Sequence, residues 1–171
     1  MDKVEILILR NLLYNEEYLR KVIPFIKADY YEDSNQRIVF EEIEKFVQEY
    51  NQPASKEVLC IEVEKRQDIN DTTFSEITKL ISYLEDVPTD YDWLCDTTEK
   101  WCRDRAIYLA LMESIALADG KDKDKDRGAI PSILSNALAV SFDTNIGHDY
   151  LIDYEQRYEA YHKKEDLIPF D

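Results

Sequence analysis

The chain contains few of the residues from which nucleotide-binding loops are built. Only three of its 171 residues are glycines: Gly120, Gly128 and Gly147. A phosphate-binding loop needs a glycine-rich turn ending in Gly-Lys-Ser or Gly-Lys-Thr, whereas Gly120-Lys121 is followed by Asp122 in a charged segment. The sequence therefore has no P-loop and, for the same reason, no dinucleotide-binding loop. We expect no cofactor to bind this chain.

Cysteine and histidine are equally scarce. Cys60, Cys95 and Cys102 contain no Cys-x-x-Cys pair, and only His148 and His162 could join them as ligands. This set lacks the ligand spacing of a zinc site, so we predict no metal site. Both histidines fall in a predicted C-terminal helix, away from any nucleophile motif, so we predict no catalytic residue. An odd set of reduced cysteines fits the cytoplasm.

Basic residues and long apolar runs are also in short supply. The chain has 37 acidic against 21 basic residues and a net charge of −16. Because phosphate contacts dominate nucleic-acid affinity, this excess argues against direct DNA or RNA binding. No apolar run approaches the ~20 residues that span a membrane, and the N-terminus has no signal-peptide pattern. With 44% hydrophobic and 34% charged residues, the chain should be globular and free of membrane.

What the sequence does have is helical periodicity. Residues 90–118 contain neither proline nor glycine and are rich in good helix formers. A helix of about 29 residues would be about 43 Å long, more than the diameter of an ordinary domain. It must therefore form the spine of the domain or project from it. Apolar side chains, all but the last of them large, recur along one side of this helix: Leu94, Trp101, Tyr108, Leu111, Ile115 and Ala118.

A second amphipathic helix follows after a charged turn. Gly120 suits the end of the first helix, and Pro131 suits the first turn of the second. Two such helices joined by a short polar turn predict an antiparallel helical hairpin. The apolar side of the hairpin must be buried against its own domain or against a second copy. The spacing of the apolar residues does not decide between the two. The second helix has its own apolar side: Ile130, Ile133, Leu134, Ala137 and Leu138.

Five shorter helices are predicted before the hairpin, and no strand is convincing. Asn15 and Ser55 have side chains suited to cap the second and fourth helices. Ser34 is suited to cap the third, which should end near residue 50. The sequence from Thr73 to Glu76 has the pattern of a capping box at the start of the fifth.

After the hairpin, a helix over about residues 148–166 carries a stripe of tyrosines. Such side chains are apolar in body and polar at the tip, which suits a helix that docks on a partner. The predicted fold is therefore all-α: a compact head (residues 1–89), a protruding antiparallel hairpin (90–143) and a C-terminal linker helix (144–171). The predicted docking residues of the linker helix are Tyr150, Tyr154, Tyr158 and Tyr161.

Several segments resemble a known family in the same order along the chain. GAIPSILSNALAVSFDTNIGHDYLIDYEQRYEAY, residues 128–161, is similar to the corresponding part of the replicative helicase of T-even-type bacteriophages, a DnaB-like hexameric helicase. ILRNLLYNEEYLRKVIPFI, FEEIEKFVQEYNQPAS and LISYLEDVP are similar as well. The resemblance covers essentially the whole chain, and its motifs are structural rather than catalytic.

The resemblance implies the N-terminal domain of such a helicase. In that family, hairpins pair between subunits, six domains form a collar as a trimer of dimers, and the collar receives primase. The linker helix docks on the neighbouring subunit's motor domain, where ATP and Mg²⁺ bind. A helicase loader is a further expected partner. The predicted subunit interface consists of Leu94, Trp101, Tyr108, Leu111, Ile115, Ile130, Leu134 and Leu138.

This chain ends at Asp171, where the motor domain is expected to begin, so the chain itself is not expected to be an enzyme. It would work in DNA replication in the cytoplasm of a bacterial host. Two alternatives remain. One is a stand-alone acidic interaction module, a loader or a decoy, on the same scaffold. The other is an enzyme that uses clustered acids and a divalent metal.

Overall fold

The computed structural model describes residues 4–120 and 126–142, and this part of the chain is all-α, as predicted. The described residues contain no strand, and two short 3-10 turns, Ala28–Tyr30 and Arg127–Ala129, accompany the helices. The predicted linker helix and its four tyrosines lie outside the described residues. The α-helices, in chain order, are α1 Val4–Tyr14, α2 Glu16–Val22, α3 Ser34–Tyr50, α4 Lys56–Glu64, α5 Asp71–Tyr83, α6 Tyr91–Ala118 and α7 Ile130–Leu138.

Side-chain caps begin most of these helices. Asn15 Oδ1 accepts a hydrogen bond from the backbone N–H of Tyr18 at 2.9 Å, and Ser55 Oγ accepts one from Val58 at 3.3 Å. Both caps are as predicted. Asp90 caps α6 in the same way. Each cap satisfies a backbone donor that the first turn of a helix leaves unpaired.

Two predicted helix starts are wrong. Asp33 caps α3 by accepting hydrogen bonds from two backbone N–H groups, so Ser34 is the first residue of the helix and not its cap. Asn70 caps α5 by accepting from Thr73 N at 2.9 Å, so Thr73 lies inside the first turn. In both places an Asp or Asn just upstream is as good a cap as Ser or Thr.

The first five helices form a head around α3, which contacts α1, α4 and α5. α1 has apolar residues on most of its circumference and is largely buried. The core continues without a break into the first half of α6, where Leu94, Cys95 and Cys102 are buried. The head and the start of α6 therefore share one hydrophobic core. Its largest fully buried side chains include Tyr18, Tyr31, Phe40, Ile8, Leu9, Leu12, Ile43, Leu59, Ile77 and Ile81.

α6 has 28 residues and is about 42 Å long at ~1.5 Å per residue. One buried polar link holds its first half to the head. The Tyr18 hydroxyl lies 2.7 Å from Thr98 Oγ1, and the Thr98 hydroxyl itself donates to the carbonyl oxygen of Leu94 at 2.8 Å. Tyr18 is therefore the donor to Thr98, and both groups are satisfied inside the core.

α7 runs antiparallel to α6. Near the turn between them, Arg127 donates to the carbonyl oxygen of Ala118 at 2.8 Å. At the other end, Arg103 donates to the carbonyl oxygen of Val140 at 3.1 Å. Phe142 then returns to the head, where its ring packs 4.8 Å from that of Phe25. The predicted domain limits at residues 89 and 143 remain predictions. None of the described helices is long and apolar enough to cross a membrane.

Candidate interaction surface

Beyond the head, the side of α6 that faces α7 carries small side chains. Ala106, Ala110 and Ser114 are each less than a tenth exposed, and Leu117 is buried further along. The first three recur every fourth residue, which places them on one side of a helix. Because these side chains are short, the two helices can approach closely over two turns.

The opposite side of α6 carries large apolar side chains that remain about half exposed in the described part of the chain. Tyr108, Leu111, Met112 and Ile115 are 51%, 47%, 51% and 56% exposed. Their spacing of i, i+3, i+4 and i+7 makes them neighbours on one side of the helix. We call these four residues the outer face of α6. A cluster of this kind is unusual on a monomer and typical of an interaction site.

The head covers only part of the same side of α6 before the outer face begins: Trp93, which lies about five helical turns before Leu111, is 54% exposed. Leu94 is fully buried. The ring of Trp101 lies 5.1 Å from that of Tyr31 and meets the ring of Tyr30 edge-on at 5.9 Å. The predicted apolar stripe is therefore divided in two, with Leu94 and Trp101 in the core of their own chain and the later residues exposed.

Arg105 lies at the boundary between the two parts. Its Nε donates to the carbonyl oxygen of Tyr30 at 2.7 Å, and its Nη1 pairs with Glu32 Oε1 at the same distance. The guanidinium also lies over the ring of Tyr108, 5.0 Å from the centroid. Arg105 therefore bonds to the head and packs on Tyr108, the one aromatic side chain of the outer face.

α7 does not cover the outer face. Its Ile133 and Ala137 line a cleft together with Ala106 and Ala110, on the far side of α6. Elsewhere on α7, Ile130 and Leu134 are half-buried, whereas Leu138 is 63% exposed. A contact of Tyr108, Leu111 and Ile115 with α7 is therefore absent within the described part of one chain. Contact between copies remains a prediction.

A cleft of about 320 Å³ lies between the head, α6 and α7. Ala106, Leu109 and Val140 give it apolar walls, and Lys27 and Glu113 carry opposite charges at its edge. In residues 4–120 and 126–142, no three His, Cys, Asp or Glu side chains are grouped as metal ligands would be. The cleft therefore offers packing surface without an obvious reactive group.

Two ionisable side chains of the core, Cys102 and Tyr31, are fully buried. Burial raises the pKa of the Cys102 thiol to about 12. Burial also raises the pKa of Tyr31 well above its usual value. A thiol in this state is neither a nucleophile nor a metal ligand at neutral pH. Cys102 and Tyr31 therefore act here as packing groups.

Two parts of this arrangement were not predicted from the sequence. Met112 was not included in the predicted interface, although it is as exposed as Tyr108. The small side of α6 was also missed, although Ala106, Ala110 and Ser114 repeat with a period of four that is visible in the sequence. The four linker tyrosines lie outside the described residues, so their predicted docking role remains a prediction.

The chain is similar to a protein of known activity. It is 34% identical over 172 aligned positions to the DnaB-like replicative helicase of Enterobacteria phage T4. The alignment covers 96% of this chain and 36% of that protein, so the chain spans about a third of its relative's length. No protein-family model matches the chain. The predicted resemblance to a DnaB-like replicative helicase of this phage type is confirmed.

Proposed function

We propose that this chain is the N-terminal, subunit-organising region of a DnaB-like replicative helicase, and that its copies pair through the outer face of α6. The observation that carries the proposal is the exposure of Tyr108, Leu111, Met112 and Ile115 on a helix whose other side is well packed. Support also comes from the similarity to the phage T4 helicase along nearly the whole chain.

In this proposal the chain organises the subunits of the helicase, and a different domain hydrolyses ATP. Six copies form a collar as a trimer of dimers, and the collar receives primase and a helicase loader during DNA replication. ATP and Mg²⁺ bind in a motor domain outside this chain, and the whole protein unwinds DNA. The linker tyrosines Tyr150, Tyr154, Tyr158 and Tyr161 dock on the motor domain of a neighbouring subunit.

The pairing is tested with Leu111→Asp, which places a charge in the middle of the outer face. Because Leu111 is 47% exposed, the change should leave the fold intact but disfavour burial against a second copy. The original chain should show a mass that rises with concentration in light scattering, whereas the variant should remain monomeric with unchanged helical circular dichroism.

Ile61→Asp is the matched control. Ile61 is 52% exposed on α4, far along the chain from the proposed interface, and its substitution introduces the same charge. The control should associate like the original chain. Measurements belong at physiological salt, because each copy carries a charge of −16 and repulsion between copies grows as salt is removed. A monomeric original chain at high micromolar concentration would contradict the proposed pairing.

The alternative is a stand-alone acidic interaction module, a loader or a decoy. It has the same outer face but no motor domain. The reading frame beyond Asp171 distinguishes the two: a P-loop within about 30–50 codons identifies the helicase, and its absence favours the module.

A further inference from the structure

We propose that the start of α6 and the connection leading into it form a docking surface for an arginine- and lysine-rich segment of another protein, with Trp93 at its centre. The inference goes beyond the proposed function, because it requires neither the pairing of copies nor a motor domain. We call the residues of this region the acidic surface: Glu85, Asp86, Val87, Asp92, Trp93 and Asp96.

The charged residues around this surface are all of one sign. Residues 80–99 include six acidic side chains and no lysine or arginine. In the whole chain, by contrast, 37 acidic residues are accompanied by 21 basic ones. The region should therefore carry a local negative potential that attracts a cationic segment.

The carboxylates of the acidic surface are not neutralised by their own chain. Elsewhere on the head, Arg66 pairs with three carboxylates at 2.9, 2.8 and 2.6 Å, and Arg105 pairs with Glu32 at 2.7 Å. Of the six acids in residues 80–99, Asp90 caps α6 and Glu99 pairs with a neighbouring arginine. The other four take part in no ion pair among the described residues.

Trp93 lies among these carboxylates and is 54% exposed. Asp96 follows it by three residues on α6 and is therefore its neighbour on the helix surface. Asp92 and Asp96 are four residues apart, a spacing at which like charges destabilise a helix. A guanidinium placed here can lie over the indole ring and pair with a carboxylate at the same time.

The same chemistry already occurs once within the chain, two residues earlier. Lys21 Nζ lies 5.5 Å from the centroid of the Tyr91 ring. Trp93 has no comparable cation within residues 4–120 and 126–142. Val87, which is 45% exposed, adds apolar surface on which the methylene stem of an arginine or lysine can pack. A partner would therefore supply the cation that Trp93 lacks.

These charges favour a cationic protein segment over other occupants. A second copy would bring a further charge of −16 and the same acidic surface, and a nucleic acid would bring its phosphates. Arginine should be preferred to lysine, because the planar guanidinium stacks on an aromatic ring and is more weakly hydrated than an ammonium group.

Titration of the full chain with octa-arginine and octa-lysine at physiological salt tests the proposal. The two peptides have the same charge, so a difference between them reports on more than net attraction. Binding is followed by the indole N–H signals in two-dimensional NMR. Trp93 and Trp101 are the two tryptophans of the chain, and Trp101 packs against the rings of Tyr30 and Tyr31. The Trp93 signal should shift, the Trp101 signal should not, and octa-arginine should bind several-fold more tightly.

Trp93→Ala should weaken octa-arginine binding about 2–5-fold and remove most of its advantage over octa-lysine. Tyr50→Ala is the matched control, because Tyr50 is also 54% exposed but lies at the end of α3. It should leave the affinities for both peptides unchanged. Circular dichroism verifies that each variant is folded.

The double variant Asp92→Asn, Asp96→Asn should weaken the binding of both peptides several-fold. Its control removes the same charge from exposed positions on α4 and at the start of α5, with Glu64→Gln and Asp71→Asn. That control should bind both peptides within about a factor of two of the original chain.

An equal loss of affinity in the two double variants would mean that the peptides respond to net charge alone, and would overturn the proposal. Absence of binding, or a Trp93 signal that does not move at saturation, would also overturn it. A Trp93 signal that moves with the concentration of the chain alone would make a second copy the occupant instead. The titration repeated with Leu111→Asp should give the same Trp93 shift, since the acidic surface does not depend on pairing through the outer face.

Discussion

The two halves of α6 place their apolar side chains in opposite ways. In the first half, Leu94 and Trp101 point into the head and join its core. In the second half, the small side chains of Ala106, Ala110 and Ser114 are buried beside α7, whereas the four large side chains of the outer face are about half exposed. The first half therefore buries most of its large apolar groups within one chain, although Trp93 is 54% exposed. The second half leaves its four outer-face side chains about half exposed within one chain.

The largest expected effect on the free energy of unfolding comes from shortening one apolar side chain in the first half of α6. The matching change in the second half should have little effect. Leu94→Ala leaves a cavity in the core and should lower the free energy of unfolding by about 2–5 kcal/mol. Ile115→Ala removes a similar side chain that is 56% exposed, and should change that energy by no more than about 0.5 kcal/mol.

Urea unfolding followed by circular dichroism measures both variants. The protein concentration must be low enough that association does not add to stability. Equal losses for the two variants would mean that the outer face is already buried within one chain, and the contrast between the halves of α6 would be wrong.

An intermediate effect is expected where α6 meets α7. Ala110 is 5% exposed under α7, so Ala110→Leu should force the helices apart and cost about 1–3 kcal/mol. Amide hydrogen exchange in α7 should become faster. Ala118→Leu adds the same atoms at an exposed position of the same helix and should leave α7 exchange unchanged. An unchanged exchange rate in Ala110→Leu would show that small side chains are not required at this contact.

Local sequence predicted the helices of this fold better than it predicted which of their side chains other parts of the chain bury. Asn15 and Ser55 were predicted as caps because the interaction is made within three residues of the cap itself. The apolar stripe on α6 was also predicted, since helical spacing defines it. The head stops burying that stripe near Arg105, which bonds to Tyr30, 75 residues away in sequence. No local pattern contains that information.

The smallest expected effect concerns the polar link in the first half of α6. Tyr18→Phe removes the hydrogen bond to Thr98 but keeps the ring, and should cost about 0.5–1.5 kcal/mol. Thr98→Val should cost more, because it leaves the buried Tyr18 hydroxyl without a partner. The double variant should cost less than the sum of the single changes in urea unfolding. Strict additivity would mean that the two side chains do not stabilise each other.

The return of Phe142 to Phe25 has a mechanical consequence. The chain leaves α7 beside the head rather than at the far tip of the two helices. A pull on the chain beyond residue 142, directed away from the tip, therefore loads α7 along its axis, parallel to its contact with α6. Separation then requires the whole contact to slide at once, whereas a pull applied at the tip would open it one turn at a time. α6 and α7 therefore resist such a pull in shear, along their whole contact, and transmit the tension to the head.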